Sequence, residues 1–176
     1  MPEAEGCEAP SEVRVRVAAS RDLPDIGRLW QQMIEYHVRL DPRFGRVGDD
    51  RHSFLEYVRH GLTGPGMRIL VAERNGQVLG FAIGTLRAAR PGAEELVVGH
   101  ISDLAVAPSA QRQGVGRQLA DALRKWFRQN GVRAVTLNVS CANSGAQAFW
   151  RSQGFVDFMD RLWCELDNSS LHNSEG

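Results

Sequence analysis

The chain has 176 residues, which is enough for one domain with a full hydrophobic core and too short for two of ordinary size. Apolar residues make up 43% of it and charged residues 24%, the proportions of a soluble globular protein. Its 21 basic residues balance its 21 acidic ones and no basic run interleaves with aromatic residues, which argues against nucleic acid or an anionic membrane as a partner.

The first half of the chain carries signals for a strand, two helices and a hairpin. Residues 13–18, "VRVRVA", alternate strictly between apolar and polar and predict a strand. Ser20 is the expected N-cap of a helix with a proline in its first turn, and "HSFLEYVRHGL" predicts a second, short helix. "MRILVAE" and "QVLGFAIGTL" predict two strands joined by a tight Asn75-Gly76 turn.

Strand and helix signals alternate in the second half. "LVVGHISDLAVAP" predicts a long strand that ends at Pro108, and the helix that follows stops at Gly131. "VRAVTLNV" predicts another strand, and "NSGAQAFWRSQ" predicts a short helix closed by Gly154. "FVDFMDRLWCEL" predicts a final strand or a bent strand pair. This order predicts an α/β protein, in which a mixed sheet carries helices on both faces.

We expect a single domain over residues 13–166, between a disordered tail at 1–12 and a polar tail at 167–176. The first residues lack the pattern of a secretory signal, and no apolar run reaches the length of a membrane span. The three cysteines are odd in number and show no metal-ligand spacing. These features predict a soluble cytoplasmic protein with reduced thiols, no membrane contact and no metal.

The segment "APSAQRQGVGRQL" places two glycines at the start of a predicted helix, directly after a strand. Backbone amides at a helix start are unpaired and the helix dipole favours an anion there. Glycines let a phosphate approach those amides and permit the bends of a backbone nest. Capping or packing is the more frequent role of such glycines, so the pair alone is a weak signal.

Two nucleotide-binding patterns fail on this segment. A Walker loop ends in Gly-Lys-Ser/Thr, whereas here Gly116 is followed by Arg117 and Gln118. A Rossmann fingerprint needs a third glycine or an alanine where this chain has Leu119. The polar residues before the glycines suit a diphosphate better than a dinucleotide turn.

Two motifs resemble the signatures of the GNAT N-acetyltransferase superfamily. "DLAVAPSAQRQGVGRQL" is similar to the family's Arg/Gln-x-x-Gly-x-Gly/Ala motif, matched by Gln111, Gly114 and Gly116. "NSGAQAFWRSQGF" is similar to its Asn-x-x-Ala-x-x-(apolar)-Tyr-x-x-x-Gly-Phe motif. The matching residues there are Asn143, Ala146, Phe149, Gly154 and Phe155. The motifs stand in the family's order, and the resemblance covers about residues 13–166.

The resemblance implies a GNAT-like fold, with a central twisted mixed sheet of about six to seven strands. It also implies transfer of an acetyl group from acetyl-CoA to a primary amine, by direct attack in a ternary complex. The pyrophosphate would lie on the amides of Gln111, Arg112, Gln113, Gly114, Val115, Gly116 and Arg117. The pantetheine arm would pair with the strand edge at Leu104, Ala105 and Val106, which is splayed from its neighbour, and an amide there would hold the developing oxyanion. Asn143 would bond the arm, and helix capping is its alternative role.

An acceptor amine that resembles lysine has a pKa of about 10.4 and needs a base. His100 lies in mid-strand, where several family members place a base, and Ser102 follows two residues later on the same face. These two residues are the catalytic candidates. A hydrogen-bonded structural histidine is the alternative for His100. Asp103 is expected to point to the other face, beside Ile101.

Trp150 departs from the family pattern, in which a tyrosine often protonates the departing CoA. An indole N–H donates a hydrogen bond but does not ionise near neutral pH. We expect Trp150 to pack against the cofactor arm or the helix core. This departure keeps a second hypothesis open, a non-catalytic acyl-CoA-binding sensor or interaction domain of the same fold.

The acceptor, a small-molecule amine or a protein amine, is not identified by the sequence. Acidic residues between the first two helices either attract a cationic amine or form a solvated surface: Glu35, Asp41, Asp49 and Asp50. Tyr36, His37 and Phe44 line an acceptor pocket or pack on the sheet. The final strand, with Phe158, Leu162 and Trp163, is a candidate for pairing or exchange in a homodimer.

Overall fold

The computed structural model describes residues 12–46, 50–88 and 97–165. The predicted tails, most of the loop predicted at 87–95, and Asp49 lie outside these residues. Four α-helices and five strands follow one another in the described chain. They are β1 Arg14–Val17, α1 Leu23–Leu40, α2 Arg51–Gly61, β2 Met67–Arg74, β3 Gln77–Ala88, β4 Val97–Val106, α3 Val115–Gln129, β5 Val135–Leu137 and α4 Ser144–Ser152.

The five strands form one mixed sheet in the order β1-β2-β3-β4-β5. The first four strands pair antiparallel, and β5 pairs parallel with β4. The predicted α/β class is confirmed, with five strands described instead of six to seven. The predicted last strand is wrong for residues 155–165, which form neither strand nor helix. A strand needs a neighbouring edge for its backbone hydrogen bonds, and no described strand lies against this segment.

Helices cover both faces of the sheet. On one face Phe54 of α2 lies 6.1 Å from the ring of Phe81 on β3. On the other face α3 packs so closely that a Cβ on Gly99 would lie 2.7 Å from the Phe127 ring. A Cβ on Gly84 of β3 would lie 2.9 Å from the same ring. Gly84 and Gly99 therefore allow α3 to pack close to β3 and β4. The loop that leads into α3 starts at the end of β4.

Asp22 links β1 to the start of α1. Its carboxylate accepts hydrogen bonds from the Arg16 guanidinium at 2.7 and 2.8 Å and from the Ala19 amide at 2.8 Å. Arg16 also lies 2.7 Å from Glu73 on β2. Asp22 is buried, and its hydrogen bonds with Arg16 hold the pKa of its carboxyl below the ordinary value.

We expect Asp22→Asn to lower the free energy of unfolding by about 3 kcal/mol at neutral pH, because the change leaves Arg16 with one partner fewer in a buried site. A carboxyl whose pKa is depressed by folding stabilises the protein above its unfolded pKa, and this contribution is lost as the pH falls through the folded pKa. The difference in the free energy of unfolding between wild type and Asp22→Asn should therefore be smaller in acid. Urea unfolding of both proteins at pH 7 and pH 3 measures this difference.

Asp25→Asn is the matched control, since Asp25 in the first turn of α1 pairs with exposed Arg28 at 2.8 Å. We expect a loss within about 0.5 kcal/mol for that surface pair. An Asp22→Asn difference of equal size at both pH values would contradict the role given to the ion pair.

Candidate active site

The loop between β4 and α3 has the backbone shape of an anion-binding nest. Arg112 and Gly114 both adopt left-handed conformations, with φ of 63° and 81°. The amide of Gln118 donates to the carbonyl of Gly114 at 3.0 Å, so the amides of residues 115–117 lie ahead of the helical ladder. A Cβ on Gly114 would meet no atom within 4 Å. Backbone conformation, and not packing, is what favours glycine there.

Side chains of the loop brace it from behind. Gln111 donates through Nε2 to the carbonyl of Val106 at 3.2 Å, and Gln113 donates to that of Ser109 at 2.8 Å. Arg74 on β2 donates to Oε1 of Gln113 at 3.1 Å. Because these two glutamines are engaged with the protein, the loop presents mainly backbone amides to a ligand.

The edge of β4 that faces β5 opens just before this loop. β5 pairs with β4 only at Gly99, His100 and Ile101. On the other side, the Ala107 amide donates to Leu79 of β3 at 2.7 Å. Since alternate residues of a strand point their backbone groups to opposite sides, the amides of Leu104 and Val106 point away from β3. No strand of the described chain pairs with them there.

The loop, the open edge and α4 come together around Gly116. A Cβ on Gly116 would lie 3.5 Å from the Phe149 ring of α4 and 3.6 Å from the Leu104 side chain. Val115, the first helical residue, is buried and anchors the loop to the core. The exposed Arg112 and Arg117 side chains flank the nest, and Arg117 lies 3.8 Å from Asp121. The residues predicted to hold pyrophosphate and pantetheine thus adjoin one another.

A β-bulge in β4 changes the face on which Asp103 lies. Ile101 is opposite Gly84 and Asp103 is opposite the next residue of β3, Ile83, so Ser102 is the extra residue. Gly84 faces α3, as its contacts show, and Ile83 faces α1 and α2. The expectation that Asp103 points away from the catalytic candidates is therefore wrong. His100, opposite Thr85, lies on the same face as Asp103.

His100 is 8% exposed and its Nδ1 lies 3.0 Å from the Thr136 hydroxyl of β5. Thr136 donates its own proton to the carbonyl of Gly99 at 3.3 Å. This assigns the imidazole proton to Nδ1 and leaves the lone pair on Nε2. Burial, with a smaller contribution from Arg87, lowers the pKa of His100 below its ordinary value. The ring is therefore neutral at pH 7, which is the form that accepts a proton.

Tyr57 of α2 was missed by the sequence analysis and contacts this face. Its side chain shares a hydrogen bond with Ser102, and burial raises the pKa of its phenol, with Asp103 nearby adding to the rise. In the sequence, Tyr57 is only one more residue of a short helix. Only the bulge, which turns Ser102 toward α2, brings the two hydroxyls together.

Asn143 caps α4 through Oδ1, which accepts from the Ala146 amide at 3.0 Å. Its side-chain nitrogen lies 3.3 Å from Nε2 of His37 on α1. His37 stacks on Phe44 with ring centroids 5.0 Å apart. Asn143 therefore acts as a helix cap, which was its alternative role. The same side chain joins the start of α4 to the end of α1.

Trp150 packs in the aromatic core of α4. Its ring centroid lies 4.8 Å from that of Phe149 and 5.2 Å from that of Phe155, and it is 9% exposed. Trp150 thus lies in the helix core, and its expected contact with the cofactor arm stays a prediction.

Three of the four acidic residues between the first two helices have local partners, and the fourth, Asp49, lies outside the described residues. Asp41 pairs with Arg43 at 2.6 Å. Asp50 caps α2, accepting from the amides of His52 and Ser53 at 3.0 Å each. Glu35 accepts from Gln31 at 3.1 Å. These contacts fix the positions of the three side chains, and attraction of a cationic amine stays a prediction.

Neither a metal centre nor a membrane span is apparent in residues 12–46, 50–88 and 97–165. No three His, Cys, Asp or Glu side chains there are grouped to hold a metal ion. No helix there is long and apolar enough to cross a membrane.

Comparison with known proteins identifies the family. The profile of the Acetyltransferase (GNAT) family matches residues 30–155. The chain is 28% identical over 116 residues to an aminoglycoside N(6')-acetyltransferase type 1 of Klebsiella aerogenes, covering 64% of this chain and 74% of that one. It is 24% identical over 145 residues to an uncharacterized N-acetyltransferase, YhfO, of Bacillus subtilis (strain 168), covering 82% and 91%.

Solved structures share the fold. A tetramutant of the BH1408 protein from Bacillus halodurans superposes with a TM-score of 0.75 at 22% identity, over 87% of this chain and 99% of that one. The aminoglycoside N-acetyltransferase AAC(6')-Iy in complex with CoA superposes with a TM-score of 0.72 at 21% identity, over 90% and 97%.

Proposed function

Because the chain belongs to the GNAT family of acetyltransferases, we propose that it moves the acetyl group of acetyl-CoA to a primary amine by direct attack in a ternary complex. One observation carries the proposal: the open edge of β4 runs within a few residues into the nest before α3. A ligand that joins an amide-bearing arm to a diphosphate requires these two surfaces in that order.

The residues present fit such a ligand. The nest offers amides from Arg112 to Arg117 to a pyrophosphate, and its left-handed residues aim successive amides at one point. The Leu104 and Val106 amides offer the hydrogen bonds that a neighbouring strand would otherwise take. When bound, acetyl-CoA supplies a thioester carbonyl that is open to attack. The amide of Leu104 or Val106 serves as the donor to the oxygen of that carbonyl.

His100 is the proposed general base. Its Nε2 lone pair accepts the proton of the acceptor ammonium, directly or through water, and Thr136 holds the ring in the required tautomer. Ser102 and Tyr57, joined by their hydrogen bond, are polar groups available to orient the acceptor on the same face. Trp150 supplies no proton, because an indole N–H does not ionise near neutral pH.

The proposed acceptor is a small-molecule amine. Relatives named as aminoglycoside acetyltransferases support this class over a protein amine. Asp103, which the bulge places on the face of His100, is the acid that we assign to attracting the cationic amine.

The test is a panel of aminoglycosides, polyamines, amino acids and peptides, with release of free CoA thiol followed over time and the acetylated product identified by mass. We expect thiol release with at least one small amine and none with the peptides. Saturable acetyl-CoA binding without thiol release across the whole panel would instead support the non-catalytic acyl-CoA-binding domain. Absence of acetyl-CoA binding would contradict both.

A further inference from the structure

Arg87 of β3 places a cation beside the proposed base. Thr85 lies opposite His100 on the neighbouring strand, and Arg87 follows two residues later on the same face of the sheet. The Arg87 side chain bends back along its strand, because its Nε donates to the Thr85 hydroxyl at 3.2 Å. That hydroxyl donates in turn to the carbonyl of His100 at 3.5 Å. These contacts hold the guanidinium near the strand position from which His100 projects.

The Arg87 charge acts on the face of the sheet that carries His100, here called the acceptor face. Burial lowers the pKa of His100, and the Arg87 charge lowers it further. Burial raises the pKa of Tyr57, its hydrogen bond with Ser102 opposes that rise, the Asp103 charge adds to it, and the Arg87 charge opposes it. The acceptor face therefore combines a neutral base with one cation and one anion.

Arg87 has hydrogen-bonding capacity left for an anionic ligand. Its side chain is exposed, and none of the ion pairs between described residues includes it. The bond to Thr85 uses Nε, whereas the two Nη atoms carry the remaining N–H donors of a guanidinium. Donors in this planar arrangement bind a carboxylate through two parallel hydrogen bonds.

We propose that Arg87 selects acceptors that carry a carboxylate beside the amine, as amino acids do, an inference that rests on the proposed acetyl transfer. The carboxylate binds the Arg87 guanidinium, the amine lies toward Nε2 of His100, and Asp103 attracts the ammonium form. An acceptor with positive charge alone is attracted by Asp103 and repelled by Arg87. An acceptor with both charges is attracted by both residues, so this pair of residues discriminates between the two classes.

The charges of the acceptor face favour a carboxylate over a phosphate as the anionic group. One guanidinium neutralises the single charge of a carboxylate. A phosphate monoester carries about −1.5 to −2 charges at pH 7. Asp103, which lies on the same face, repels the part of that charge that Arg87 leaves unbalanced. The acceptor class is therefore an amine with one neighbouring carboxylate.

Pairs of acceptors that differ by one carboxylate test the inference: lysine with cadaverine, and tyrosine with tyramine. Release of CoA thiol gives kcat and KM for each. We expect the wild type to favour the carboxylate-bearing member by about 10-fold in kcat/KM, through a lower KM. Arg87→Met should remove this preference, and Arg87→Lys should retain part of it, because lysine keeps the charge without the planar pair of donors.

Arg59→Met is the matched control. Arg59 is an exposed arginine of α2, two residues after Tyr57, and pairs with Glu56 of the same helix. Residues two apart on a helix do not face the same side, so Arg59→Met should keep the wild-type preference.

The outcomes distinguish this inference from the proposed function. If the decarboxylated amines react as well as the amino acids, the selectivity assigned to Arg87 is wrong, while acetyl transfer stands. A preference for amino acids that Arg87→Met retains would overturn the assignment as well. So would a wild-type preference for O-phosphoethanolamine over β-alanine, because the selected anion would then be a phosphate. Thiol release with no amine at all would overturn both the inference and the proposed function.

Discussion

Gly114→Glu is expected to weaken acetyl-CoA binding by at least about 100-fold, or about 2.7 kcal/mol. A glutamate there places a carboxylate at the nest, where it competes with the pyrophosphate for the amides and repels it. The φ of 81° at this position also strains any residue with a Cβ. Isothermal titration of the purified protein with acetyl-CoA measures the loss.

Gly131→Glu is a closely matched control. Gly131 lies just beyond the other end of α3, has φ of 72°, and like Gly114 would meet no atom within 4 Å of a Cβ. Backbone strain is thus similar in the two variants, while only one is at the nest. Gly114→Gln separates the charge from the strain and should retain more binding than Gly114→Glu. Equal losses at Gly114 and Gly131 would mean that strain, and not the nest, explains the effect.

His100→Gln is expected to lower kcat/KM by about 100-fold while the Kd for acetyl-CoA stays unchanged. The base is the neutral imidazole, and burial lowers the pKa of His100, so wild-type activity should fall only as the pH drops through that lowered pKa. The variant should lack this acidic limb. Steady-state rates measured across the pH range with the best amine of the panel give both results.

Thr136→Val and Asp103→Asn separate the possible roles on this face. Removing the Thr136 hydroxyl frees the His100 ring to adopt the other tautomer, so kcat should fall and Thr136→Ser should restore it.

Asp103→Asn should raise KM for a cationic amine and keep the acidic limb of the pH profile. If Asp103→Asn removed the limb while His100→Gln kept it, the base would be Asp103.

The hairpin turn and the ends of two helices could be predicted from the residues at those positions. The Asn75-Gly76 turn joins β2 to β3 with φ of 52° and 74°, as a tight hairpin turn requires. Gly131 ends α3 in a left-handed conformation, and Gly154 does the same after α4. These positions are fixed by backbone conformations that few residues adopt easily, so the sequence alone identifies them.

Features that depend on pairing between distant segments could not be predicted in the same way. The bulge at Ser102 arises from the register of β3 against β4, and strict alternation along β4 placed Asp103 on the wrong face. The contact of Tyr57 with Ser102 follows from that bulge. Residues 155–165 have the aromatic and aliphatic content of a strand, but a strand forms only where it pairs with a neighbouring strand, which composition alone does not determine.

Amide hydrogen exchange with and without acetyl-CoA tests the central claim most directly, because backbone amides are the groups assigned to hold the ligand. We expect saturating acetyl-CoA to slow exchange at residues 112–117 and at Leu104 and Val106, and to leave the Asn75-Gly76 turn unchanged. Saturation of the protein by acetyl-CoA with no slowing in either segment would contradict the account.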